Sequence, residues 1–325
     1  MKLGPLEIHT PLALAPMEDV SDIAFRAICK ERGADLVYTE FTNVEAIVRD
    51  VKSAMDKIQV TEAERPVGIQ LYGSNGESLE RAAAIAESLG PDFIDINCGC
   101  WVKKVAMRGD GAGLLRDLGR FESVVQSVTR GTKLPVTVKT RLGWDADSIV
   151  ILDVARMLEH NGVQALTVHC RTRKQGYTGQ ADWSWLPGIK EACGSMPLLA
   201  NGDIVTPEDI KAILDLGCDG AMIGRGAIEN PWIFEQAKHY LATGEHASAP
   251  SAEDRIELCI RHLKDHVALH GDRRGVTSFR KFYVHYLRGM RDSHPVRVAL
   301  MALYEVGPIE EVLRGFLERY AEVPA

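Results

Sequence analysis

The stretch PVTVKTRLGWDADSIVILDVARMLEHNGVQALTVHCR, residues 135–171, decides the fold. It opens with a short, nearly continuous apolar run of strand type (135–143) and closes with another (164–171). Between them, residues 149–162 repeat apolar side chains at helical spacing and stop at Asn161-Gly162, a helix C-terminal signal. Strands that are apolar throughout, rather than alternating, belong to a sheet buried on both faces. Joined by a helix, such strands run parallel.

The same unit recurs on either side. Strand-type runs occupy 11–17, 35–41, 66–73, 92–99, 197–203 and 219–226, which makes eight in all, and each intervening gap has room for a helix. ESLERAAAIAESLG (77–90) has clear helical periodicity. TPEDIKAILDLG (206–217) begins with a threonine cap, a proline at the first helical position and acids in the first turn. Eight such units predict a (β/α)8 TIM barrel over residues 1–245. The stretch 243–254 is small, polar and proline-containing, as a domain boundary should be, and from Ser251 the periodicity is helical only. Residues 246–325 are therefore expected to form an all-α helical domain.

With 325 residues, 46% hydrophobic and 26% charged, the chain can build a substantial core. No apolar run reaches the length of a membrane span, and MKLGPLEIHT lacks the apolar segment of a signal peptide. A soluble, cytoplasmic protein with no membrane attachment and no obligatory protein partner is expected. Seven scattered cysteines argue against a disulfide scaffold. The net charge of −7 argues against nucleic-acid binding through overall charge. Residues 255–300, however, carry ten Lys/Arg against four Asp/Glu, which fits either a local polyanion site or a solvated helical face.

Barrel enzymes react at the C-terminal ends of their strands. Here those ends carry Pro16-Met17, Gln70, Asn97 with Cys100, Lys139 with Arg141, His169 with Arg171, Asn201-Gly202-Asp203 and Gly224-Arg225-Gly226. One such residue is an ordinary rim group, whereas seven strands ending this way mark a site. ANGDI and IGRGA close the seventh and eighth runs, the pair of loops that commonly holds a phosphate in this fold. Arg225 adds a cation there; two tight glycine turns are the plain alternative. With Lys139 and His169 on neighbouring strands, the phosphate fits a flavin mononucleotide across the barrel mouth. No metal is expected, because Cys98-x-Cys100 lacks the two-residue spacer of zinc pairs.

APMEDVSDIAFR, DINCGC…KKV, VKTRLGW, TVHCRTRKQGY, ANGDI and MIGRGAIENPWIF resemble, in order and spacing, the flavin-dependent tRNA-dihydrouridine synthases. FRKFYVHYL (279–287) is similar to that family's helical-domain motif. The bacterial B type looks nearest, with C-type features in RLGWD and KQGY. The resemblance implies FMN as cofactor, NADPH as reductant, and reduction of the C5–C6 bond of a D-loop uridine in tRNA. It puts Pro16, Met17, Gln70, Lys139, His169, Asn201, Asp203, Gly224 and Arg225 on flavin-binding positions, with Gly202 in the same loop. Asn97, Arg141 and Arg171 fall where the family meets the uridine, and Cys100 falls on its proton donor. The thiol suits that task. Hydride transfer to C6 calls for a proton at C5, and a thiol of ordinary pKa near ~8.5 is mostly protonated at neutral pH.

One departure matters. The family places proline after this cysteine, whereas Trp101 stands here, and Ala106-Met107 replace its usual Asn-Arg. Either Trp101 stacks on substrate or packs the loop and catalysis survives, or the loop is re-aimed and the chain is a tRNA-binding flavoprotein with weakened catalysis. A third reading is an FMN barrel that reduces a small pyrimidine or enone. For tRNA, turning a base out costs about a few kcal/mol, which contacts to the phosphates must offset. Candidate cations are Lys103, Lys104 and Arg108, then Arg171, Arg173 and Lys174, then Arg273, Arg274, Arg280, Lys281, Arg288 and Arg291 of the tail. Tyr283 and Tyr286 are assigned to the helical core.

Overall fold

Each of the eight apolar runs contains a strand. The computed structural model describes residues 1–321. The strands are β1 (Leu12–Leu14), β2 (Val37–Tyr38), β3 (Val67–Tyr72), β4 (Phe93–Cys98), β5 (Val136–Arg141), β6 (Ala165–His169), β7 (Leu198–Asn201) and β8 (Gly220–Ile223). All pairings among them are parallel, in the order β1-β8-β7-β6-β5-β4-β3-β2. A parallel bridge from Ala13 to Leu36 joins β1 to β2 and closes the cylinder.

The second run is interrupted. Its strand ends at Tyr38, and a further two-residue strand, Thr42–Asn43, pairs with the far end of β3. The connection from β2 to β3 has room for a full helix but holds only short helical pieces, Val44–Val48, Lys52–Lys57 and a 3-10 turn at Glu62–Glu64. A two-stranded antiparallel ribbon, Lys2–Leu3 with Leu6–Glu7, precedes the barrel. Phe93 fills the inside of the cylinder edge-on to Tyr38. It can do so because its neighbour across the sheet is Gly68, where a Cβ would lie 2.1 Å from the Phe93 ring.

Outside the strands run α1 (Ile23–Glu31), α2 (Gly76–Ser88), α3 (Leu118–Gly131), α4 (Ile151–His160), α5 (Leu186–Ala192), α6 (Pro207–Asp215) and α7 (Ile233–Thr243). Their ends follow the sequence signals. α4 stops at Asn161, followed by Gly162 at φ +73, and α6 starts from a Thr206/Asp209 capping box with Pro207 in its first turn.

From Ser251 the chain is helical: α8 (Ala252–His270), α9 (Asp272–Tyr286), α10 (Ser293–Met301) and α11 (Val306–Ala321). The expected helical region extends to residue 325; its last four residues lie outside those described. Cys259, Leu263, Phe279, Phe282, Tyr283, Tyr286, Leu313 and Phe316 form a core of their own, so both tyrosines are core residues. Burial of each such ring stabilises by ~2–3 kcal/mol. Ile28 of α1 and Trp232 belong to the same core, so the helices are packed on the barrel rather than tethered to it.

Polar contacts reinforce this junction. Asp22 caps α1 through the Phe25 N–H, and its other oxygen accepts from His266 Nδ1 (2.7 Å) and His270 Nε2 (3.0 Å). The Lys281 ammonium donates to the Asp19 carbonyl, and Arg288 pairs with Glu229. These contacts seat the tail on the loops after β1 and β8. No helix among the described residues is long and apolar enough to cross a membrane.

Candidate active site

Strand register builds the site. Asn97 pairs with Lys139, Arg141 with His169, and His169 with Asn201, so four strands present polar side chains near one level of the barrel mouth. They open into a cavity of about 650 Å3, within the size range of cofactor pockets. Its walls include Pro16, Met17, Asn97, Cys100, Lys139, Arg141, His169, Asn201, Gly202, Asp203, Gly224 and Arg225, twelve of the residues singled out from sequence. The loops 201–203 and 224–226 face the same space as Cys100.

Gln70 lies deeper. It pairs with Asp95, two residues before Asn97, and is fully buried under the cavity floor. Arg171 is also withdrawn. It is 2% exposed and its guanidinium reaches Asp203 Oδ2 (2.5 Å), the Gly179 carbonyl (2.6 Å) and His169 Nε2 (3.3 Å), leaving it behind the wall. Lys103 and Lys104 are exposed on a four-residue helix after the cysteine loop. Of the tail residues, Lys281 is spent on Asp19, while Arg280 donates to the Leu303 carbonyl and lies over the Tyr304 ring.

The loop that carries Cys100 is held at both ends. Asn97 Oδ1 accepts from the N–H groups of Gly99 (3.1 Å) and Cys100 (2.9 Å). Arg141 donates to the Gly99 carbonyl (2.9 Å) and to Thr172 and Gly176 (3.0 and 2.9 Å), which ties this loop to the one after β6. Burial pushes the Cys100 thiol up from its ordinary value. Cys98 faces the core and is fully buried, so the bend at Gly99 separates the two sulfurs. All seven cysteines are free.

Lys139 Nζ donates to Asn201 Oδ1 (3.0 Å), and Asn201 Nδ2 to the Met222 carbonyl (2.7 Å). Burial, helped by the Arg141 charge, lowers the Lys139 ammonium to about 8. Burial and then the surrounding cations, Arg141 first, hold His169 well below its usual range and therefore neutral. Arg225 is half exposed, pairs with Asp203 (3.1 Å) and lies over Tyr177 (4.7 Å). Although burial pushes the Asp203 carboxyl up, the Arg171 hydrogen bond and the Ala181 N–H hold it below the ordinary carboxylate range.

Trp101 packs its ring edge on Gly176 and stands edge-on to Tyr177 at 5.6 Å. Tyr177, Phe41, Glu18 and Glu229 also line the cavity and were not assigned from sequence. The KQGY stretch was the available signal for Tyr177.

These residues fit a flavin. Lys139 would hold its ring end and Arg225 its phosphate end, and the wall between is thinned by Gly202 (φ +111), whose Cβ would press at 3.0 Å on His169 and Ala181. Among the described residues one His/Asp group, Asp22, His262 and His266, brings its ligand atoms within 4.8 Å of one another; it lies at the barrel–tail junction.

Residues 13–319 match the family model described as Dihydrouridine synthase (Dus). A probable tRNA-dihydrouridine synthase of Rickettsia bellii is 36% identical over 92% of this chain and 92% of its own. A tRNA-dihydrouridine synthase B of Pseudomonas putida is 38% identical over 88% of this chain and 85% of its own, and one of Pseudomonas aeruginosa is 36% identical over 98% and 96%. With the barrel and the cavity, these likenesses establish that the chain belongs to the dihydrouridine synthase family, flavin-using oxidoreductases that form dihydrouridine in tRNA.

Proposed function

We propose that the chain reduces a D-loop uridine of tRNA at C5–C6 with FMN as cofactor and NADPH as reductant, and that Cys100 protonates C5. One observation carries most of this reading: Cys100 shares a single cavity with Lys139, His169 and Arg225. When reduced, the bound flavin supplies a hydride. The protein does the rest. The raised Cys100 thiol keeps its proton at neutral pH and is held at the mouth by the Asn97 and Arg141 contacts. Lys139 supplies positive charge below about pH 8, where negative charge gathers in the transition state. Neutral His169 offers hydrogen bonding without a further charge. Arg225 and the 201–203 and 224–226 loops take the phosphate. Phe41, Trp101 and Tyr177 rim the cavity and restrict water.

Residues 1–245 serve as the catalytic barrel and 246–325 as the tRNA-binding domain, with Lys103 and Lys104 beside the mouth as further phosphate contacts. Arg280 and Lys281 shape this interface by anchoring it, since both already have protein partners. Weakened catalysis through Trp101 finds little support, because Cys100 keeps its place on the cavity wall beside it.

The test is direct. Purified protein reduced anaerobically with NADPH is mixed with unmodified tRNA, and the return of flavin absorbance is followed. Rapid reoxidation by tRNA, and none by free uridine, is expected. Failure of tRNA to reoxidise the flavin rules the reading out; turnover of free uridine supports the small-substrate alternative.

A further inference from the structure

Under the cavity floor a line of hydrogen bonds runs from a buried carboxylate to the cysteine loop. Asp95 Oδ1 accepts from Thr137 Oγ1 (2.5 Å) and its Oδ2 from Gln70 Nε2 (2.6 Å). Gln70 Oε1 accepts from Asn97 Nδ2 (2.8 Å), and Asn97 Oδ1 accepts from the Gly99 and Cys100 N–H groups. Asp95 and Gln70 are almost completely buried and Asn97 is 8% exposed.

The direction of this line is forced from both ends. An ionised carboxylate only accepts, so the Gln70 amino group must face Asp95 and its oxygen must face Asn97. Backbone N–H groups only donate, so the Asn97 oxygen must face the loop and its amino group must face Gln70. A primary amide alone could sit either way round. Here two amides in series meet compatible groups in one orientation only. Burial pushes the Asp95 carboxyl up to about 6, and both of its oxygens accept here, from Thr137 and Gln70.

We propose that Asp95 and Gln70 are positioning residues that set the polarity of Asn97, so that its oxygen holds the Cys100 loop and its one unspent N–H faces the cavity. Asn97 has two N–H donors and an oxygen able to accept twice; Gln70, Gly99 and Cys100 use all but one N–H. The ligand group that meets Asn97 is therefore a hydrogen-bond acceptor, a carbonyl oxygen or an unprotonated ring nitrogen of a flavin or pyrimidine, and not an N–H. The inference rests on the reading of this cavity as the place where uridine is reduced.

Moving the charge by one step tests it. Asp95→Asn is nearly isosteric but replaces an acceptor-only group by one that can also donate, so only the loop N–H groups still oppose a turned amide. In the double variant Asp95→Asn with Gln70→Glu, the new carboxylate accepts from both neighbouring amides, and Asn97 is again locked as found. Two quantities are read: tRNA-driven flavin reoxidation, and hydrogen exchange of the Gly99 and Cys100 amides on a peptide spanning them. Asp95→Asn is expected to slow reoxidation at least tenfold and to speed exchange, and the double variant to recover both to within threefold of the parent. An Asp95→Asn protein with parental rate and exchange, or a double variant no better than the single, overturns the proposal. If Asp95→Asn does not fold, Gln70→Met interrupts the line from its other side, and parental exchange in that variant overturns it equally. A parent protein that tRNA cannot reoxidise refutes the functional reading instead, while exchange still reports on the line.

Discussion

Trp101 meets Tyr177 edge to face across the barrel mouth, ring centres 5.6 Å apart and planes at 78°. Such a pair contributes about 0.5–1.5 kcal/mol beyond the area it buries. Here it fastens the cysteine loop to the loop after β6. Trp101→Ala is predicted to raise KM for tRNA about threefold to tenfold while flavin reduction by NADPH keeps its rate. Single-turnover measurements at varied tRNA concentration check this; an unchanged KM would show that the pair does not order the mouth.

Cys100→Ala removes the proposed acid without touching Lys139 or Arg225. Flavin reduction by NADPH should be unaffected, and the subsequent reduction of tRNA should fall by about 10²–10⁴-fold, the usual reach of general acid catalysis. Stopped-flow traces of the two half-reactions separate these effects. A variant that reduces tRNA at the parental rate would remove Cys100 from the mechanism.

Lys139 gives a pH dependence whose sign is fixed. Its folded value without ligand is lowered to about 8, and an anionic partner favours the charged form. Flavin affinity should therefore be flat below pH 8 and weaken above it, by at most about tenfold per pH unit for one proton. Titrations of flavin into stripped protein from pH 6 to 9.5 measure the slope. Lys139→Met should bind weakly at every pH and show no slope.

Asp22 carries the junction between barrel and tail. Burial opposes its ionisation, yet hydrogen bonds from His266 and His270 and the nearby His262 hold its carboxyl well below the ordinary range. A depressed carboxylate contributes stability above its unfolded value near ~3.9 that is lost as pH falls through the folded one. Asp22→Asn keeps a capping oxygen and loses the charge, so destabilisation of about 3 kcal/mol is expected at pH 7, with a smaller difference from the parent near pH 3. Urea unfolding at both pH values decides it.

Lys103 and Lys104 stand exposed beside the mouth. If each neutralises one tRNA phosphate, Lys103→Ala and Lys104→Ala should each lower the slope of log affinity against log salt by about 1. Filter binding across a salt series measures this. Lys281→Ala, whose partner is the Asp19 carbonyl, should change that slope less.

The barrel was legible because its information is local. Apolar runs mark strands, caps mark helices, and each strand's C-terminal residue faces the mouth by topology alone. Depth was not legible. Gln70 and Asn97 both lie in apolar runs, yet cross-strand pairing sets Gln70 a layer lower, opposite Asp95, and stagger is a property of the closed sheet. Arg171 resembled a substrate contact until Asp203, far along the chain, drew it behind the wall. Tyr177 sits in an irregular loop with no periodicity to mark it. The Asp22 junction joins residues from opposite ends of the chain, a contact that no short motif encodes.

Because Ile28 and Trp232 are embedded in the tail's own core, a load on the tail reaches the barrel through packed side chains. If that packing holds while substrate docks, the deformation falls on the nucleic acid. Turnover is then expected to follow how readily the tRNA yields its base.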